Sequence, residues 1–261
     1  MAKQLVLTDR IYNILKENNR TQVILKYEKY LKKVLEGFPK TRVEIKKLRK
    51  FDSRFEVIIT GPEEVFASNI LKKKVGIIND FNAIEVGKIY NGNMVNVGKV
   101  GFGIFVDCGI FNPPADVLLS LNTLRTQLCK DAKISLKKII DAYEFVDHFP
   151  VSIKIIEKDE EKQQFSGELA DQTLSLFERI KNESIEGIFI SGTTKNQFKK
   201  SIEKKGHFRD VISVKRFGYL EHIALLKEGT EAPGIIANIG KDLTGCKMSA
   251  IRPKRIKELE I

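Results

Sequence analysis

Six glycines crowd the run VGKIYNGNMVNVGKVGFGIFVDCGI (residues 86–110): Gly87, Gly92, Gly98, Gly101, Gly103 and Gly109. Around them the chain reads as strand. Val86, Lys88 and Tyr90 alternate with Gly87 and Ile89, and Met94, Val95 and Val97 continue the pattern. Gly98 and Gly101 interrupt it, a second strand runs from Phe102 to Asp107, and Gly109 closes it. Glycine inside a strand marks a bulge, a tight bend or a close backbone approach. So many in so short a span predict a small, strongly coiled barrel, whose strands bend where a Cβ would clash.

The segment GFGIFVDCGI resembles the second strand of the RNA-binding OB domain repeated in bacterial ribosomal protein S-one, a Gly-aromatic-Gly-x-Phe-Val pattern. Two later segments agree in order. ADVLLSLNTL (115–124) resembles the third strand and the short turn after it, and PVSIKIIEKDEEKQQFSGEL (150–169) the last two strands with an acidic turn. The resemblance covers about 83–171. It implies base stacking by two second-strand aromatics, which fall on Phe102 and Phe105, with Lys99 in the preceding turn as a further RNA contact. Strict alternation puts residues three apart on opposite faces, so both rings reach one ligand only if the strand bulges at Gly103. This chain departs from the pattern where the OB family often has a histidine, near Ser120, and a basic residue, near Gln164. Asp159 matches that family's acidic hairpin residue and also suits a turn. With Glu157, Glu160 and Glu161 beside it, this hairpin repels phosphates, as a barrel shifted to protein binding would.

The flanks read as α+β. In residues 1–82, a strand over 3–8 and a helical turn at Ile11, Tyr12, Ile14 and Leu15 precede an amphipathic helix over 21–37. Thr21 caps that helix, and Gly37 and Pro39 end it. Two strands follow, Val43/Ile45 and Phe55/Val57/Ile59, and then a helix opened by Pro62 with Val65, Phe66, Ile70, Leu71 and Val75 inward. The order β-α-β-β-α predicts an α/β sandwich with helices on one face of an antiparallel sheet. The five-stranded barrel occupies 83–182, with a helical insertion at 121–148 and a linker helix after the last strand. In 183–261, GIFISG starts a strand, and a helix capped by Thr193 and Thr194 turns Phe198, Ile202 and Phe208 inward. Two strands, a helix opened by Pro233 and a strand over 247–251 complete β-α-β-β-α-β, the ferredoxin-like plan. The whole order, with EGTEAPGIIANIG (228–240) and PKRI (253–256), resembles an archaeal protein family with an S-one-type OB centre. That resemblance implies the architecture and an archaeal origin, and no function.

Formal net charge is +11, unevenly spread. It is +8 over 1–82, −2 over 83–182 and +5 over 183–261. A basic excess favours polyanions through phosphate neutralisation and counterion release. A merely solvated lysine-rich surface is the bland alternative, and the lysine triplet 72–74 fits a helix C-terminus in any case. The stronger candidate is 191–209, SGTTKNQFKKSIEKKGHFR. A helix start at Ser191–Thr194 offers N–H groups and the positive dipole end to phosphate. Thr193, Thr194, Lys195, Lys199, Lys200, Lys204, His207 and Arg209 are the expected RNA contacts there. Arg252, Lys254 and Arg255 form a second basic group.

Catalytic chemistry finds no support. His148, His207 and His222 are dispersed, the glycine run matches neither a Walker loop nor a dinucleotide fingerprint, and no Ser sits in G-x-S-x-G. Cys108, Cys129 and Cys246 suit neither a disulfide framework nor a metal knuckle. No apolar run reaches the ~18 residues of a membrane span, and no signal-peptide layout opens the sequence. The expectation is a cytoplasmic, non-catalytic RNA-binding protein without metal or cofactor, its partner ribosomal or other structured RNA. A protein-interaction adaptor on the transcription or translation machinery is the alternative.

Overall fold

The computed structural model describes residues 2–11 and 17–259. The chain is mixed α+β and divides into two compact units. One runs to Ile78 and takes in Gly218–Leu220; the other comprises Asn79–Phe217 and the chain from Glu221 onward.

The first unit is a three-stranded antiparallel sheet, β1 (Ala2–Arg10), β2 (Arg42–Leu48) and β3 (Arg54–Thr60), with β3 central. Helices α1 (Glu17–Val34) and α2 (Glu64–Lys74) accompany it. Phe55, Val57 and Ile59 alternate along β3, so all three point to one face, where they are fully buried with Leu7, Tyr27, Leu31 and Leu71. Tyr27 stacks on Phe55 at 4.0 Å between ring centroids, and its hydroxyl donates to Asp9. On the other face a register shift after Ile45 brings two successive lysines, Lys46 and Lys47, to 3.3 and 3.4 Å from buried Glu56. Burial pushes the Glu56 carboxyl up, but the two ammonium groups outweigh it and hold it below its ordinary value.

Three local expectations change here. Helix α1 already runs at Glu17, so Thr21 lies inside it rather than at its cap. The helical turn expected around 12–15 lies outside the described residues. Helix α2 turns Ala67, Ser68 and Leu71 inward. Val65 and Phe66, expected in the core, are 55% and 67% exposed. At 100° per residue, they occupy the arc opposite the 67/68/71 stripe.

The second unit contains a closed five-strand OB-like barrel: β5 (Ile89–Val95), β6 (Gly103–Phe111), β7 (Ala115–Ser120), β8 (Pro150–Asp159) and β9 (Gln164–Leu169). The order β6-β5-β8-β9-β7 closes by a β6–β7 pairing, and only β7–β9 is parallel among these five. A two-residue strand, β4 (Asn79–Asp80), adds to β6 in parallel; it is too short to show periodicity. Gly92 explains its own presence: a Cβ there would sit 2.7–2.8 Å from Val106, Asp107 and Cys108 on the next strand. The 121–148 insertion holds α3 (Leu121–Cys129) and α4 (Leu136–Tyr143), N-capped by Ser120 and Ser135. Helix α5 (Asp171–Asn182) follows the last strand.

Then β10 (Gly187–Ser191), α6 (Lys195–Lys204), a 3-10 turn (His207–Asp210), β11 (Val211–Arg216), β12 (Glu221–Leu226), α7 (Ala232–Gly240), β13 (Lys247–Ile251) and α8 (Pro253–Lys257) complete the chain. The sheet is antiparallel, ordered β11-β12-β10-β13. Strand β10 is buried along its whole length, which is why it reads as an unbroken apolar run rather than an alternation. Ile188 and Ile190 pack with Phe198, Ile202, Ile235 and Ile239 of α6 and α7. Phe189 turns the other way and joins the barrel's own cluster, its ring 4.9 Å from Phe149. Phe208, expected inward, is 67% exposed, because Gly206 (φ 80°) ends α6 and starts a new turn.

Among the described residues no helix is long and apolar enough to cross a membrane.

Candidate nucleic-acid interface

The two expected barrel aromatics meet. Their ring centroids lie 6.1 Å apart at 90°, edge to face. No bulge within the ladder is needed, because β6 begins at Gly103 and Phe102 sits in the bend before it, free of strand alternation. The bend holds because Leu121 N–H donates to the Phe102 carbonyl at 2.8 Å. At Gly103 a Cβ would overlap the Leu119 carbonyl oxygen, so only glycine lets β6 approach β7 here. Phe102 is 57% exposed and Phe105 half-buried. Phe105 pairs with Val95 and Leu118 on the flanking strands, so the exposed ring stands on an apolar floor. Lys99, in the same loop, donates to Asn96 at 2.7 Å.

The acidic hairpin is a closed local system. Asp159 accepts from Lys162 N–H at 2.9 Å and pairs with its ammonium at 3.2 Å. The Lys162 amide and ammonium hold its carboxyl below the ordinary value. Lys158 reaches Glu160 at 3.1 Å and also lies 5.0 Å from the Phe81 ring. Glu157 and Glu161 remain on the exposed surface.

At the start of α6 the expected residues separate. Thr193 is buried at 4% exposure, and its carbonyl accepts from His222 Nε2 at 3.0 Å. Thr194 is the N-cap of a full capping box: its hydroxyl accepts from Gln197 N–H while the Gln197 side chain accepts from Thr194 N–H. Two donors of the helix end are thereby used internally, leaving those of Lys195 and Asn196 as the first-turn amides outside the box. The sequence T-K-N-Q carried this signal. Lys199, Lys200 and Arg209 are exposed, and no ion pair engages them among the described residues. Lys204 instead pairs with Asp242 at 3.2 Å, and His207 with Asp210 at 2.8 Å and Asn238 at 3.0 Å.

The C-terminal basic group also divides. Arg252 and Arg255 both pair with Glu144, at 2.6 and 3.1 Å, and Arg255 donates to the Asp141 carbonyl. They tie α8 to α4; Lys254 is exposed like Arg255 but takes no part in that tie. A parallel tie joins Lys247 to Asp147 at 3.0 Å. Burial pushes the Asp147 carboxyl up, yet the Val97 amide and the Lys247 ammonium hold it below its usual range.

His222 is fully buried, so its imidazole is a structural group with a pH consequence. A carbonyl can only accept, so Nε2 carries the proton and Nδ1, with no hydrogen-bond partner among the described residues, stays bare. Burial lowers its pKa from 6.5 to about 4, with Arg216 and Lys195 adding to the effect against the Thr193 bond. The unfolded chain therefore takes up the proton more readily, and stability falls as pH drops from about 6.5 toward 4. The loss approaches about 3 kcal/mol at the acid end of that window. Denaturant unfolding across this range should show it, and His222→Gln, which keeps a donor for Thr193 but cannot titrate, should flatten the curve. Equal pH slopes in both proteins would remove His222 from the account.

Among the described residues, no three His, Cys, Asp or Glu side chains gather as a metal site would require. The assembled candidates are thus two: Phe102 on Phe105 at the barrel, and Lys199, Lys200 and Arg209 with Lys195 on α6 and the turn after it.

The fold is that of a mixed α+β protein that contains a closed OB-like barrel and additional sheets. Two models of one family match it: the DUF2110 central domain over residues 84–181 and the DUF2110 C-terminal domain over 186–251. Together these span more than half of the chain, which belongs to that family. No curated protein matches the sequence. Several solved structures are similar. GSP13 from Bacillus subtilis is 22% identical, with 33% of this chain and 55% of that one covered and a TM-score of 0.24. A multidomain protein with nucleic acid binding domains from Streptococcus pneumoniae is 24% identical, covering 43% and 36%, with a TM-score of 0.24. The a/eIF2alpha-aDim2p-rRNA complex from Pyrococcus horikoshii contains a chain 15% identical, covering 47% and 64%, with a TM-score of 0.26. The chain thus spans about half the length of GSP13.

Proposed function

We propose that this protein binds RNA and performs no catalysis. The observation that carries the reading is Phe102, more than half exposed beside the outer face of the barrel wall and braced edge-on by Phe105. An exposed phenyl ring offers a π-face on which a base of any identity can stack. Lys199, Lys200 and Arg209 supply the phosphate contacts, which set affinity without reading sequence. The labour is divided: the barrel takes unstacked bases, and the basic part of the C-terminal domain holds backbone. In this reading the chain has three modules, 1–82, 83–182 and 183–261, the last ferredoxin-like. It is an archaeal cytoplasmic protein needing no cofactor, and its RNA is ribosomal or otherwise structured.

Salt tests the electrostatic half. Each phosphate contact adds about 0.7–0.9 to the slope of log K against log salt. Lys199→Ala/Lys200→Ala should weaken binding to any RNA and lower that slope by about 2. A slope unchanged by the double variant would remove α6 from the interface.

The acidic hairpin favours a second reading, an adaptor whose barrel meets a protein of the translation or transcription machinery. Glu157, Glu160 and Glu161 there would repel phosphate, and its lysines are engaged by Glu160 and Asp159. RNA binding that disappears with the lysines yet ignores Phe102→Ala would favour it.

A further inference from the structure

The 3-10 turn and the edge strand after α6 carry a surface of which the proposed function uses Arg209 and no other side chain. Strand β11 pairs with β12 on one side only and forms an edge of the sheet. Five exposed groups line its course. Phe208 is 67% exposed, and Arg209 follows it. Lys215 is exposed and lies 5.0 Å from the centroid of the Phe217 ring, itself 39% exposed. Ile212 is 47% exposed between them. The carboxylate in this stretch, Asp210, faces His207 at 2.8 Å. The turn also packs against α6, whose Lys199 and Lys200 are exposed.

We propose that this edge, with Phe208 and Phe217 as stacking platforms and Arg209 and Lys215 as phosphate contacts, takes a single-stranded stretch of RNA. The inference rests on the RNA-binding reading above and adds a further contact surface to it. Charge complementarity selects the occupant. The core of a protein–protein interface is depleted in charge, whereas here each exposed ring has a cation beside it in the chain or over its face. A cationic track interleaved with aromatic rings is what a flexible polyanion with stackable bases requires. A duplex keeps its bases stacked inside and offers the rings nothing. The strand's six residues extend about 20 Å, enough to separate two stacking points along one strand of nucleic acid.

The test is fluorescence anisotropy of the full chain with a labelled oligouridylate of about 12 nucleotides and, separately, an RNA duplex. Phe208→Ala/Phe217→Ala should weaken oligouridylate binding about tenfold and leave duplex binding unchanged. Phe208→Tyr/Phe217→Tyr, which keeps both rings, should restore it. All four side chains at issue are exposed, and an unchanged melting temperature verifies that the fold survives. Single-strand affinity that falls with Phe102→Ala but not with the Phe208/Phe217 pair overturns this inference and spares the RNA-binding reading. A wild-type chain that binds neither probe overturns both. A change of oligomeric state on light scattering, with RNA affinity intact, assigns the edge to protein and also overturns it.

Discussion

Phe189→Ala is expected to destabilise the second unit by about 3–5 kcal/mol, the usual cost of deleting a buried phenyl ring. Phe189 is fully buried in the middle of β10 and points away from α6 and α7. Its ring meets Phe149, which in turn stacks with Phe177 of α5. The same apolar cluster collects Met94, Val106 and Ile153 from the barrel and Ile223, Leu225 and Ile251 from the four-stranded sheet. Truncation should therefore weaken both sheets together. Native-state hydrogen exchange would read this directly, as a parallel loss of protection in β8 and β13. Protection lost in β13 with β8 untouched would show two independent cores.

The second large effect is on binding. Phe102→Ala should reduce affinity for looped or single-stranded RNA by roughly 1–3 kcal/mol, five- to more than a hundredfold, while Phe102→Tyr preserves it. Stability should change little, because the ring is mostly solvated. Phe105→Ala is a poorer probe. That residue is half-buried on the ladder between Val95 and Leu118, so its loss mixes binding with packing. Affinity unchanged by Phe102→Ala would take the barrel face out of RNA recognition.

What the sequence made legible follows from how local each signal is. Glycines forced by close strand approach, at Gly92 and Gly103, announce a barrel because the clash is between neighbouring strands and repeats along the ladder. The alternation of Phe55, Val57 and Ile59 and the solid run of β10 likewise follow from one-face and two-face burial. The capping box at Thr194 was also written in four consecutive residues, yet a threonine pair reads as easily as an open anion site. The rest was not local. Arg252 and Glu144 are separated by 108 positions, so no spacing rule reveals that this arginine is occupied. Lys204 and Asp242 pair across 38 positions. Both cations look available in the sequence and are not. Phe66 and Phe208 fail in the opposite sense. Hydrophobicity assigned them to the core, but the helix phase of α2 and the stop at Gly206 turn them outward.

The barrel's role can be read most directly by ultraviolet crosslinking of the wild-type chain to a structured RNA, with the adducts located by mass spectrometry. Adducts on the peptide carrying Phe102 and Phe105, alongside adducts near Lys199 and Lys200, are the predicted result. Adducts confined to other surfaces, with none on the barrel, would contradict the account.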